Sequence, residues 1–181
     1  MNAIATILDK VLYHGSSCNF SRFIFTGTGE PGFHFGNQEV AMTFTRDRET
    51  DEQFKNATLV AVKLAIHNAY VSPDVFPVFE TVAFVNLLEN GIISAEEFAG
   101  IEEDLFEGGA RFRRNGQWFL ELDEADIKGR NRAAEVYKRA LQAKGFDGVM
   151  YSNCKAYEGE GETCYIAFEK SQIEVVEVSV L

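Results

Sequence analysis

Two periodicities share this chain, and their order along it constrains the fold more than any other feature. Strand-like apolar runs dominate both ends, and helical patterns fill the middle. Val11-Leu12-Tyr13-His14 reads as a short strand stopped by Gly15-Ser16-Ser17, and Gly32-Phe33-His34-Phe35-Gly36 as a second, with glycine at each end. Asn37 can cap a following helix, because its side-chain oxygen accepts orphan amides of the first turn. That helix is expected to bury Val40, Ala41 and Phe44 on one face. From Leu59 to Ile66 the residues Val60, Val62, Leu64 and Ile66 fall on one side and Lys63 on the other, the alternation of a half-buried strand.

The middle reads as helical. Phe84, Leu87 and Leu88 share a face that Gly91 can terminate. Ser94 and Glu97 form a capping box that opens a second helix, closed by Gly108-Gly109. Asn131 to Lys144 is the clearest helix, lined by Ala133, Tyr137, Ala140 and Leu141, with Gly145 at the C-terminal cap. Beyond it, Phe146 to Ser152, Thr163 to Phe168 and Gln172 to Val180 read as strands. At roughly 150 residues per domain, the 181 residues predict one α+β domain spanning 1–181, with a helical insertion at about 80–126.

Charge narrows the partners. Seventeen Lys+Arg against 28 Asp+Glu give a net charge of −11, which repels phosphate backbones and anionic lipid. No nucleic acid and no membrane is therefore expected as principal partner. Cys18, Cys154 and Cys164 form no C-x-x-C pair and are odd in number, and Met1 to Lys10 lacks the basic and apolar regions of a secretory signal. A reducing, cytoplasmic compartment follows as the expectation. No segment approaches the ~18 uninterrupted apolar residues of a membrane span. His14, His34 and His67 are scattered without zinc-ligand spacing, so no metal is expected.

Two patterns have plain readings. Gly27-Thr28-Gly29-Glu30-Pro31-Gly32 matches G-x-G-x-x-G, but a dinucleotide fold needs that motif to open a helix, and here it runs into Phe33-His34-Phe35. It is read as a flexible surface loop. Arg111, Arg113 and Arg114 form the one basic cluster and, flanked by Glu107 and by Glu121 to Glu124, read as a charge-balanced surface segment.

More informative is an ordered set. Tyr13-His14-Gly15-Ser16 comes first, then Gly32-Phe-His-Phe-Gly36 followed by a helix carrying Ala41 and Phe44. Next stands Gly145-Phe-Asp-Gly-Val-Met-Tyr-Ser-Asn153, and last the acidic stretch from Glu158 to Glu162 leading into Cys164-Tyr-Ile-Ala-Phe168, with Gln172-Ile173 beyond. Together these resemble the ADP-ribosyltransferase superfamily, in particular its small phage and mobile-element branch, related to the diphtheria-toxin and poly(ADP-ribose) polymerase type. The resemblance covers most of the chain and leaves roughly residues 80–126 without a motif. It implies a split β-sandwich core with flanking helices.

The resemblance also implies roles. His14 would hydrogen-bond ribose or adenosine hydroxyls of NAD, and the Gly15 backbone would pair with the nicotinamide carboxamide. Ser16 would add a hydroxyl to that network, beside Tyr13. Phe44 would stack on the nicotinamide where many relatives carry tyrosine, with His34 or Phe35 lining the other wall. A carboxylate would accept from the ribose 2′-hydroxyl and stabilise the developing cation. The slot directly before the last catalytic strand holds Cys164; Glu162 shares its strand face two residues earlier, and Glu160 and Glu158 come next.

The activity implied is NAD-dependent mono-ADP-ribosyl transfer to a protein acceptor, with NAD as co-substrate, in a bacterial host cell if the chain is phage-encoded. The alternatives are a catalytically degenerate module that binds a protein or NAD, and an NAD glycohydrolase in which water replaces the acceptor. RNA 2′-phosphotransfer, which shares the fold, needs basic residues for several phosphates and fits this acidic chain poorly.

Overall fold

The computed structural model describes residues 4–7, 10–24, 29–47, 50, 52–73, 78, 80–114, 116–123, 125–153 and 161–181. In chain order these form β1 (Ile4–Ile7), β2 (Val11–Ser16), β3 (Phe33–Phe35), α1 (Gln38–Thr43), β4 (Thr58–Leu64) and β5 (Ile66–Ser72). Then follow α2 (Thr81–Glu89), α3 (Ala95–Phe106), β6 (Ala110–Arg114), β7 (Gln117–Glu121), α4 (Ile127–Ala143), β8 (Gly148–Asn153), β9 (Glu162–Ala167) and β10 (Ile173–Val180). The fold is α+β.

One apolar run feeds both main sheets. The alternation expected to continue from Leu59 to Ile66 breaks at Ala65, whose N–H donates to the Gln172 carbonyl at 2.8 Å. Before the break β4 is the middle strand of a three-stranded sheet, ordered β10-β4-β2; after it β5 enters a five-stranded sheet, ordered β1-β5-β8-β9-β3. β4 is also not half-buried. Leu59 and Ala61, on the side of Lys63, are buried as well.

The five-stranded sheet is covered on both faces. Paired residues share a face, so His34, Ile166, Val149 and Tyr70 lie in one row, with Cys164, Tyr151 and Ser72 on the same side. That side packs on the helices through Phe84, Leu87, Phe106, Tyr137 and Leu141. The opposite side carries Phe33, Phe35, Tyr165 and Ala167 and packs on Leu12, Val60, Val62 and Leu64 of the three-stranded sheet. At Gly148 the neighbouring strands of this sheet come close: a methyl there would lie 2.7 Å from the Ile166 carbonyl oxygen of β9 and 2.9 Å from the Ile66 side chain of β5.

The helical caps form as expected. Asn37 accepts from Val40 N–H at 2.8 Å, and Ser94 and Glu97 make the reciprocal capping box. α4 begins four residues before Asn131, because the Asp126 carboxylate accepts from Gly129 N–H at 2.9 Å. The expected helical insertion is only partly helical. Within it β6 and β7 pair antiparallel, and the Phe112 and Phe119 rings sit 5.7 Å apart. The alternation Arg111, Arg113 had marked surface correctly and concealed the strand.

Residues of the Gly145-Phe-Asp-Gly motif do structural work. Asp147 accepts from Asn68 N–H at 2.8 Å and His67 N–H at 2.9 Å, while Gln172 Nε2 donates to the Asp147 carbonyl at 2.7 Å. These bonds tie β5, the start of β8 and the start of β10 together.

The helical layer turns on Phe84, which is fully buried against Phe106 at 5.7 Å and Tyr137 at 5.9 Å, both edge to face. Phe84→Ala is expected to cost about 3–5 kcal/mol of unfolding free energy, measured by denaturant titration followed by circular dichroism. A loss below about 1 kcal/mol would mean that the layer is not a packed core.

Candidate functional site

The two main sheets meet edge to edge at one backbone pair. Tyr13 N–H donates to the Gly36 carbonyl at 2.9 Å, and Gly36 N–H donates to the Tyr13 carbonyl at 3.0 Å. β3 is the edge strand of the larger sheet and β2 of the smaller one, so this pair closes the gap between them. Every residue expected in the site from the two first motifs lies on the segments that flank it.

His14 turns from β2 into the layer between the sheets, half-buried against Phe23 at 5.4 Å and Phe35 at 5.8 Å. Its Nδ1 lies 3.0 Å from the His34 carbonyl oxygen. A carbonyl only accepts, so Nδ1 carries the proton. Burial lowers the pKa of the ring from its ordinary 6.5, outweighing the opposite pull of that backbone bond. The neutral ring therefore keeps Nε2 as a lone-pair acceptor, the form needed to receive a hydroxyl proton.

Gly15 faces the other way. A methyl group there would overlap the Ala41 carbonyl of α1 and stand 3.2 Å from Phe44 Cβ. Within the chain the glycine is required because α1 packs on it. In an antiparallel ladder the direction of N–H and C=O repeats every two residues. Those of Tyr13 point at Gly36, so those of Gly15 point to the same side, toward β3 at the level of His34. They have no backbone partner among the described residues.

Phe44 ends α1 instead of lying on its buried face, and its ring is 42% exposed beside Gly15. This corrects the expected burial of Phe44 and leaves an open aromatic face. Ser16 is half-buried, and its Oγ accepts from Cys18 N–H at 3.3 Å. His34 and Phe35 are not alternatives for one wall, since consecutive strand residues point to opposite faces. Phe35 joins His14 between the sheets.

His34 lies on the helical side, where both ring nitrogens are engaged: Nε2 with Glu30 Oε2 and Nδ1 with Tyr151 Oη, each at 3.1 Å. Nε2 donates to the carboxylate oxygen of Glu30, and Nδ1 and the Tyr151 hydroxyl are hydrogen-bonded to each other. The sequence held no sign of this carboxylate–imidazole–phenol chain. Glu30 and His34 stand four apart across a Pro-Gly turn instead of along a helix, and Tyr151 is 117 residues away.

Of the candidate acids, Glu158 and Glu160 lie outside the described residues. Glu162 opens β9 opposite Asn153 and is half-buried. It shares a face with Cys164, about 7 Å away along the strand. Cys164 is a buried core residue, and a methyl on Gly36 would lie 3.3 Å from its Sγ. Glu162 is thus two residues beyond the level of the Tyr13–Gly36 junction.

Gly27 and Thr28 lie outside the described residues. The rest of that segment is not a surface loop as expected, since Gly29, Pro31 and Gly32 are buried and Gly29 N–H donates to Asn131 Oδ1 at 2.9 Å. It leads into β3 and not into a helix, so it does not form the dinucleotide-binding turn. Among the described residues no group of three or more His, Cys, Asp or Glu could hold a metal ion, and no helix is long and apolar enough to cross a membrane.

The His14 environment gives stability a pH dependence. The unfolded chain takes up a proton near 6.5, and the folded chain does so only at lower pH. Stability is therefore expected to be complete above about pH 6.5 and to fall as pH drops through the window below it. Chemical denaturation from pH 7 to pH 5, beside the same series for His14→Asn, checks this. The drop should shrink in the variant, and nitrogen NMR should report an Nδ1–H ring.

No protein-family model matches the sequence, and no curated protein matches it. Among solved structures, the chain is similar to the crystal structure of the M. tuberculosis MbcT-MbcA toxin–antitoxin complex. The identity is 12% and the TM-score 0.41, over 97% of this chain and 86% of that one.

Proposed function

We propose that this protein transfers ADP-ribose from NAD to a protein side chain. The observation that carries the reading is Gly15, whose backbone donor and acceptor face β3 at the level of His34 without a backbone partner among the described residues, beside the exposed Phe44. A primary carboxamide has the complementary acceptor and donor, and its planar ring can lie on an aromatic face. His14 adds a neutral Nε2 acceptor for a ribose hydroxyl, with its ring orientation held by the His34 carbonyl.

Cleavage of the bond to nicotinamide builds positive charge on the ribose. Glu162 is the described carboxylate assigned to that charge, and it would also accept from the 2′-hydroxyl. Glu160 and Glu158 remain candidates for the same task. The buried Cys164, in the slot where the resembled family holds its acid, supports the second reading, a module that binds NAD or a protein without catalysis. Hydrolysis of NAD is the third.

Incubating the purified protein with radiolabelled NAD and a bacterial lysate separates the three. Transfer labels protein, hydrolysis yields free ADP-ribose without an acceptor, and a binding module releases no nicotinamide. In the transferase, Glu162→Gln should slow nicotinamide release about a hundred- to a thousandfold with less change in NAD affinity. His14→Asn keeps a donor near the His34 carbonyl and removes the Nε2 acceptor. It is expected to weaken turnover by about 1–3 kcal/mol, roughly five- to a hundredfold or more. Full activity in both variants would overturn these assignments.

A further inference from the structure

The β6–β7 hairpin concentrates what the rest of this acidic chain lacks. Against a net charge of −11, three arginines stand within the five residues of β6. Arg113 pairs with Trp118 and Arg111 with Leu120, so Arg111, Arg113 and Trp118 share one face. The opposite face anchors the hairpin. Phe119 is buried there, and Arg114 lies over Phe112 and pairs with Glu80 at 3.0 Å.

On the outer face Leu120, beside Arg111, still packs against the helical core, but the Trp118 end is exposed. Trp118, the single tryptophan, is 68% exposed, and Arg111 and Arg113 are exposed beside it. Arg113 Nε donates to the Gly116 carbonyl at 3.2 Å, which leaves its terminal nitrogens for another acceptor. β6 pairs only with β7 among the described residues, so its other edge is open.

We propose that this face docks an extended acidic segment of a partner protein, added along β6. Arg111 and Arg113 are two residues apart on a strand, about 7 Å. An extended segment with carboxylates at alternate positions repeats that spacing, so each guanidinium can meet one carboxylate in a two-point contact. The open edge of β6 supplies backbone pairing, as in other strand additions. Trp118 supplies the apolar anchor; tryptophan and arginine are the residues that most often dominate interface energy. The remaining surface repels an acidic segment, so charge confines binding to this hairpin. The proposal does not depend on the NAD reading.

Trp118 also serves as the reporter, because emission from a chain with one tryptophan comes from this face alone. The probe is a synthetic peptide alternating Glu and Val, about ten residues long, titrated into the full chain at low salt. We expect a saturable blue shift with micromolar affinity that weakens with added salt. Combining Arg111→Gln with Arg113→Gln should weaken it about tenfold or more, with an unchanged melting temperature because both side chains are exposed. No saturable change up to millimolar peptide would overturn the proposal. So would an equal response in the double variant or to a peptide alternating Lys and Val. A shift that follows protein concentration without peptide would assign the face to a second copy of the chain. A tighter response to a single-stranded oligonucleotide would assign it to nucleic acid.

Discussion

The molecule depends on the backbone pair between Tyr13 and Gly36. Two hydrogen bonds of 2.9 and 3.0 Å join an edge strand of one sheet to an edge strand of the other. Because side chains alternate along a strand, this pair fixes more than a distance. It sends His14 between the sheets, turns Gly15 toward α1, and sets Gly36 against Cys164. A slip of one residue would exchange all these faces. The Nδ1 of His14, bonded to the His34 carbonyl at 3.0 Å, reinforces the junction from a side chain.

Structural need and chemical capacity coincide at this junction. His14 caps the edge of β3, and the same bond fixes its tautomer and frees Nε2. Gly15 admits α1, and that close packing brings the ring of Phe44 beside a backbone donor and acceptor. Neither residue can be assigned to fold or function alone.

Other motif residues belong to the scaffold. Asp147 and Gln172 join three strands by hydrogen bonds, and Gly148 allows β8 to approach Ile166. Cys164 is core. Motifs shared across a fold mix such supports with residues of a site, and sequence order does not separate them. The Glu30–His34–Tyr151 chain shows the converse, a polar network with no motif at all.

Local chemistry in the sequence determined what depends on neighbours along the chain. The Asn37 cap, the Ser94–Glu97 capping box and the left-handed glycines that end α2, α3 and α4 are written within a few residues each. The α+β class and the surface position of Arg111 and Arg113 were legible for that reason, whereas the grouping of Tyr13, His14, Gly15, Phe35 and Phe44 was implied by the resemblance and not by local chemistry. Tertiary structure alone decided the rest. Ala65 passes one apolar run from sheet to sheet, and Phe44 stays open at the end of α1. His34 turns away from Phe35, and Trp118 joins the arginines across a hairpin. Each depends on strand pairing between distant segments. Alternation states that a residue has a face; only the partner strand decides what that face meets.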